Sequence, residues 1–170
     1  MPYDPVGALS ALARAKVRFV VIGGLAGRFW GSPTVTSDVD ICYEREPGNL
    51  ERLAGALVEL GARLRGVDDA VPFLLDAETI RKGLNFTLVT SLGPLDVLGM
   101  PAGVGGFDEL ERNAVSCDLG GGVIVQMCDL DDLIRMKEAA GRPKDRIELE
   151  VLAAVREELR REDPRQSSSG

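Results

Sequence analysis

Two aspartates separated by one residue, Asp38 and Asp40, are the side chains of this sequence best suited to hold a metal ion. They lie at the start of Val39-Asp-Ile-Cys-Tyr43, whose β-branched and aromatic residues predict a strand. Residues two apart in a strand project from the same face, so the two carboxylates would lie side by side. Adjacent carboxylates repel each other unless a cation separates them, and Mg²⁺ binds such oxygens together with substrate phosphates.

A third carboxylate, Asp96, is flanked by Leu95 and Val97 in another predicted strand. An ionisable side chain inside an apolar strand is costly unless it has a partner. If this strand neighbours the first, Asp96 completes a two-metal site, in which the ions lie roughly 3.5–4 Å apart. We therefore expect Asp38, Asp40 and Asp96 to be catalytic metal ligands, with Mg²⁺ or Mn²⁺ as the cofactor.

A pair of glycines, Gly23-Gly24, separates a predicted buried strand from a short predicted helix. The backbone here can approach a phosphate closely, because glycine has no side chain and the first N–H groups of a helix are free. The pair fits neither G-x-G-x-x-G nor a Walker A sequence, which argues against dinucleotide-binding and P-loop proteins. We expect Gly23, Gly24 and Ser37 to hold a triphosphate, while metal ions activate the attacking hydroxyl and neutralise the pyrophosphate leaving group. A simple turn is the alternative interpretation of the pair.

The composition excludes several kinds of chemistry. None of the 170 residues is a histidine, which rules out Ser-His-Asp and Cys-His hydrolysis and histidine-ligated zinc. Twenty Lys and Arg residues against 27 Asp and Glu give a net charge of −7, so the field of the whole molecule does not attract polyanions. A nucleic-acid partner would therefore need a local basic patch.

The length and the residue usage predict a single cytoplasmic domain. No apolar run reaches the ~18 residues that span a bilayer, and the first residues lack the pattern of a signal peptide. The three cysteines, Cys42, Cys117 and Cys128, are widely spaced and fit a reducing compartment. We expect one domain over residues 1–162, followed by a disordered tail over residues 163–170.

The order of the predicted elements favours an α+β fold with a mixed sheet and a helical C-terminus. Apolar spacing predicts helices over 5–16, 25–30, 48 or 49 to 60, 130–140 and 146–161. Strands are predicted over 17–22, 39–43, 84–89, 95–98, 115–119 and 123–127. Residues 66–83 show no clean period and are interpreted as a long, partly helical loop. Short connections between the middle strands argue against a doubly wound parallel sheet.

These segments together resemble a known family. Gly23-Gly24 followed by Thr36-Ser-Asp-Val-Asp40 is similar to the signature of the DNA polymerase beta-type nucleotidyltransferase superfamily. Asn85-Phe-Thr87 and Leu95-Asp-Val-Leu98 resemble the strands around that family's third carboxylate. The stretch 130–145, with Lys137 and Arg142-Pro-Lys-Asp145, resembles the Lys…Arg-x-Lys-Asp segment of its AbiEii/MenT-like branch. The resemblance covers roughly residues 17–155.

The resemblance implies a flanking-helix nucleotidyltransferase fold and a transferase that moves NMP from an NTP such as ATP to an acceptor, with release of pyrophosphate. The branch contains toxins of bacterial toxin–antitoxin systems, some of which modify tRNA, so tRNA and a cognate antitoxin are the implied partners. It implies that Lys137 contacts the nucleotide. The residues that it places at the nucleotide or acceptor site are Arg28, Arg142, Lys144 and Asp145.

Other interpretations fit parts of the pattern. The same fold can serve as a non-catalytic nucleotide-binding module, or as a nucleotidyltransferase that modifies a small molecule such as an antibiotic. Metal-dependent glycosyltransferases also use Asp-x-Asp, although after a longer nucleotide-binding region. Lys137 would be an ordinary solvated lysine in a merely structural helix, and Asp145 would then cap the last helix.

Overall fold

The computed structural model describes residues 2–68 and 75–163, and within them the chain forms seven α-helices and seven strands. The helices are α1 (Pro5–Arg14), α2 (Gly23–Phe29), α3 (Pro47–Glu59), α4 (Ala77–Lys82), α5 (Phe107–Asn113), α6 (Leu130–Ala140) and α7 (Arg146–Glu162). The strands are β1 (Phe19–Ile22), β2 (Val39–Tyr43), β3 (Arg63–Leu64), β4 (Asn85–Thr90), β5 (Gly93–Leu98), β6 (Val115–Gly120) and β7 (Val123–Met127). A 3₁₀ turn over Pro143–Asp145 leads into α7.

All seven strands belong to one mixed sheet in the order β3-β4-β5-β2-β1-β7-β6. The short connections give antiparallel hairpins, β4 with β5 and β6 with β7. In the centre, β2 pairs antiparallel with β1 and parallel with β5, and β1 pairs parallel with β7. The predicted α+β class, mixed sheet and C-terminal helix are therefore confirmed.

The core surrounds the central strands and the apolar faces of the longer helices. All four residues of β1 are buried, as are Leu53 and Leu57 of α3 and Leu133 and Ile134 of α6. Burial of such side chains is the main driving force for folding. Among the described residues no helix has both the length and the apolar character required to cross a membrane.

Several helix ends follow the local signals in the sequence. Asp129 accepts a hydrogen bond of 2.8 Å from the N–H of Asp132, and Asp131 and Asp132 lie in the first turn of α6. The predicted helix over 130–140 thus begins with an acidic first turn, which the dipole of the helix favours. At the other end Gly141 adopts a left-handed conformation with φ of 61° and closes the helix.

The remaining differences arise where tertiary contacts override local preference. Strand β1 begins at Phe19, two residues later than predicted, because the N–H of Val17 still bonds to Leu12 and that of Arg18 to Asn49. Helix α4 agrees with the partly helical loop predicted over 66–83, and residues 69–74 of that loop lie outside the described residues. The two-residue strand β3 and helix α5 were not predicted. Of the predicted tail, residues 164–170 lie outside the described residues.

A candidate metal centre on the central strands

The three predicted carboxylates lie together on one face of the sheet. Asp40 in β2 and Asp96 in β5 are register partners, so their side chains are neighbours across the parallel pair. Asp38 immediately precedes β2 and projects from the same face as Asp40, two residues away. Each residue offers one carboxylate oxygen, and the three oxygens lie within 4.8 Å of one another. All three residues are partly buried, and this arrangement can hold a metal ion.

The electrostatics of the cluster favour a bound cation. Burial, followed by the nearby charges of Asp38 and Asp96, raises the pKa of Asp40 to about 7. Burial also raises the pKa of Asp96, although the neighbouring guanidinium of Arg65 opposes this. Carboxylates that are expensive to ionise side by side become favourable ligands once a divalent cation neutralises them.

Gly23 makes room for the carboxylate of Asp40. It lies at the junction of β1 and α2 with φ of 67°, and a Cβ atom there would lie 2.8 Å from Cγ of Asp40 and closer still to its Oδ2. No other residue fits this position without displacing the aspartate. A Cβ atom on Gly24 would lie 2.6 Å from Oγ1 of Thr36, whose hydroxyl donates to the main-chain oxygen of Asp38 at 3.1 Å. The absence of a side chain at both glycines therefore leaves room for Asp40 and for Thr36, which bonds to the main chain of Asp38.

A cavity of about 390 Å³ opens beside the carboxylates. Asp40, Asp96 and Gly23 line it, and so do Lys137 of α6 and Arg142 of the turn that follows. The other residues that line it are Ile22, Asn85, Phe86, Thr87, Leu98, Pro101, Ala102, Leu133, Met136 and Ala140. An apolar pocket with a few convergent charged groups is the usual form of a small-molecule site.

Lys137 is part of a buried group of charges. It is 5 % exposed, and its Nζ lies 3.1 Å from Oε2 of Glu148 and 3.9 Å from Oδ1 of Asp145. It is therefore not a solvated helix lysine, although its ammonium faces carboxylates of its own chain. Asp145 also accepts from Nε of Arg142 at 2.7 Å, and its side chain does not cap α7. This group places two cationic side chains on the cavity that contains Asp40.

The other predicted site residues do not line the cavity. Arg28 donates to the carbonyls of Pro33 and Thr34, at 3.3 and 3.4 Å, within the loop that precedes Asp38. Ser37 is exposed directly before Asp38, and Lys144 is exposed in the turn before α7. Gly24 lies one residue beyond the lining residue Gly23. The structure thus brings together Asp38, Asp40, Asp96, Gly23, Lys137 and Arg142.

Three further residues contact this group, and the sequence did not single them out. Nη2 of Arg65 lies 2.7 Å from Oδ1 of Asp96, and the hydroxyl of Tyr3 donates to the main-chain oxygen of Asp38 at 3.2 Å. Glu148, the ion-pair partner of Lys137, lies outside the motif stretches that carry the family resemblance. A signal for it existed, because it lies one helical turn before the fully buried Leu152 and hence on the inward face of α7. Arg65 and Tyr3 had no such signal.

Comparison with known proteins adds no further assignment. No protein-family model matches the sequence, and no curated protein matches it significantly. The geometry and chemistry of the site, together with the motif resemblance, are therefore the basis for assigning a function.

Proposed function

We propose that this chain is a metal-dependent nucleotidyltransferase that moves NMP from an NTP to an acceptor hydroxyl and releases pyrophosphate. The observation that carries the proposal is the convergence of Asp38, Asp40 and Asp96 within 4.8 Å beside a cavity with cationic side chains. Phosphoryl transfer needs little covalent help from the protein, because positioning and charge stabilisation supply most of the catalysis. This site offers both without a histidine.

Each group of residues has a role in that reaction. Asp38, Asp40 and Asp96 would bind Mg²⁺ or Mn²⁺, which acidifies the acceptor hydroxyl and offsets the charge that develops on the leaving pyrophosphate. Lys137 and Arg142 line the same cavity as Asp40 and Asp96 and would orient the negatively charged triphosphate. The apolar side chains of the cavity, including Phe86 and Met136, would exclude water from the nucleoside.

The finer features of the proposal come from the motif resemblance. They are a nucleotidyltransferase fold of the DNA polymerase beta type, tRNA as the acceptor, and a cytoplasmic toxin controlled by a cognate antitoxin protein. Gly23, Gly24 and Ser37 would contact the phosphates, with Arg28 and Lys144 at the acceptor side. The position of Gly23 against Asp40 supports its share of this assignment.

A transfer assay tests the proposal. The purified protein is incubated with Mg²⁺, each α-labelled NTP in turn, and total tRNA, beside an Asp38→Ala variant. Labelled RNA with the wild type and none with the variant is the expected result. Pyrophosphate release without labelled RNA would retain the transferase and replace the acceptor by a protein or a small molecule. Binding of NTP without turnover in any reaction would contradict the proposal in favour of a non-catalytic nucleotide-binding module.

A further inference from the structure

Arg65 reaches across the sheet to the candidate metal centre. It follows β3 directly, and its backbone N–H donates to the carbonyl of Thr87 in β4 at 3.0 Å. Its side chain then passes over β4, where Nη2 donates to the carbonyl of Leu88 at 2.8 Å, and ends 2.7 Å from Asp96 in β5. The anchor residue Thr87 and the carboxylate Asp96 both line the cavity. The guanidinium is therefore held at the edge of the cavity by strand pairing and not by a surface loop alone.

Among the residues that the structure describes, most of the hydrogen-bonding capacity of this guanidinium is unused. Both side-chain contacts use the single nitrogen Nη2. Nε is buried and has no hydrogen-bond partner, and the side-chain hydrogen bonds to described residues leave Nη1 unused. A buried donor without a partner is costly, so an arginine with a purely structural role would be expected to satisfy it. Either unused donor forms a bidentate pair for a phosphate together with Nη2, once Nη2 is released from Asp96.

The contact with Asp96 places Arg65 in competition with a metal ion. The guanidinium neutralises Asp96, one of the three carboxylates that would hold a divalent cation. A cation bound to Asp96 weakens the hold on Nη2, because the carboxylate charge is then shared. An anionic group that arrives with the cation offers the released guanidinium a stronger partner, and a triphosphate is such a group.

We propose that Arg65 is a triphosphate-binding residue that holds Asp96 in the metal-free protein and turns to the substrate phosphates when a divalent cation occupies that carboxylate. This inference rests on the proposed function for the identity of the substrate, although its test needs no turnover. Arg65 and the metal exchange partners, so the residue opposes binding of the metal alone and favours binding of the metal with a polyphosphate.

Calorimetric titration of Arg65→Gln tests the exchange with two probes, Mn²⁺ alone and inorganic tripolyphosphate at saturating Mn²⁺. We expect the variant to bind Mn²⁺ alone more tightly than the wild type, because a competing cation is gone. It should bind tripolyphosphate about 10–100-fold more weakly, the loss of one charged hydrogen-bonding group. Arg65→Lys should lie between the two, since lysine keeps the charge without the planar donor fork.

The matched control is Arg81→Gln on α4, which removes an exposed arginine whose guanidinium pairs with Glu78 among the described residues. It should leave both titrations unchanged. Weaker binding of both probes by Arg65→Gln, with Arg65→Lys equal to the wild type, would show that the residue merely supports Asp96 and would overturn the inference. Unchanged binding of tripolyphosphate would overturn it as well. If Arg65→Gln binds Mn²⁺ more tightly and tripolyphosphate more weakly, but the wild type transfers nothing from any NTP, the inference is kept. Only the proposed function is then contradicted.

Discussion

At the scale of single residues, the site depends on carboxylates that disfavour each other until a cation binds. Asp40 is the most affected, because burial and its two acidic neighbours together raise its pKa to about 7. In the metal-free protein near neutral pH, Asp40 is therefore protonated in a sizeable fraction of the molecules. The unfolded chain, with an ordinary aspartate pKa, holds no proton there.

Metal-induced stabilisation should consequently depend on pH. The stabilising contribution of the protonated Asp40 is present at low pH and is lost as pH rises through about 7. A cation at pH 6 must displace that proton, whereas at pH 8 it relieves repulsion. We expect Mg²⁺ to raise the unfolding temperature more at pH 8 than at pH 6, as measured by thermal unfolding. In Asp40→Asn the difference between the two pH values should vanish, and an equal Mg²⁺ effect at both pH values in the wild type would contradict this explanation.

Gly23→Ala tests the close approach of the backbone to Asp40. The new Cβ meets the carboxylate, and the left-handed φ of 67° adds strain of roughly 1–2 kcal/mol. We expect a lower free energy of unfolding in urea and weaker Mn²⁺ binding. Gly121→Ala is the matched control, because its φ is 60° with no atom within 4 Å of the added Cβ. This control should lose stability and keep its Mn²⁺ affinity. Equal Mn²⁺ affinity in the two variants would refute the role of Gly23.

At the scale of elements, β2 forms the site because it lies between β1 and β5. The parallel pair aligns Asp40 with Asp96, and the junction of β1 with α2 brings Gly23 against the same carboxylate. Helix α6 and the turn after it then supply Lys137 and Arg142 to the lining of the cavity. The buried ion pairs of Lys137 connect α6 to α7, so the last helix helps to hold Lys137 in place at the cavity.

Lys137→Met should be strongly destabilising for that reason. It leaves Glu148 and Asp145 buried without their shared cation, which costs about 3–5 kcal/mol in the free energy of unfolding. The double variant Lys137→Met/Glu148→Gln should recover part of the loss, because one uncompensated charge is removed. Urea unfolding in EDTA measures the free energy of unfolding of the single and the double variant. The exposed control Lys82→Met should change stability by less than about 0.5 kcal/mol. A similarly small loss in Lys137→Met would contradict the buried pairing.

The periodic elements could be predicted from the sequence, and the charge partners could not. Strands β2 and β7 match their predicted bounds, since alternation and flanking turn residues are local signals. Asp38 and Asp40 were found because strand geometry fixes their common face. Arg65 was missed because its contact with Asp96 spans 31 residues and two neighbouring strands, which no local pattern encodes. Strand β3 itself has two residues and exists only through its pairing with β4.

At the scale of the whole molecule, the charge of −7 limits how an acceptor can be recruited. Non-specific binding of nucleic acid is driven by the release of counterions from basic surfaces, and an acidic chain lacks that driving force. A tRNA acceptor would therefore be bound mainly through the local site and its metal.

We accordingly expect no shift of tRNA by the metal-free protein in gel electrophoresis at about 0.15 M salt, where screening already weakens exposed charges. Adding Mg²⁺ and an NTP should be necessary before any complex forms. A tRNA complex in EDTA that weakens steeply with salt would contradict this view and would indicate a separate basic surface.

The central claim is that Asp38, Asp40 and Asp96 bind divalent cations, and Mn²⁺ binding followed by electron paramagnetic resonance tests it most directly. The free-ion signal reports binding without any substrate. The variants are Asp40→Asn and, as a control, Glu59→Gln on the exposed face of α3. We predict saturable binding of one or two ions per chain in the wild type and in the control, and its loss in Asp40→Asn. Equal binding in all three proteins would contradict the claim, because the ions would then be held by scattered surface carboxylates.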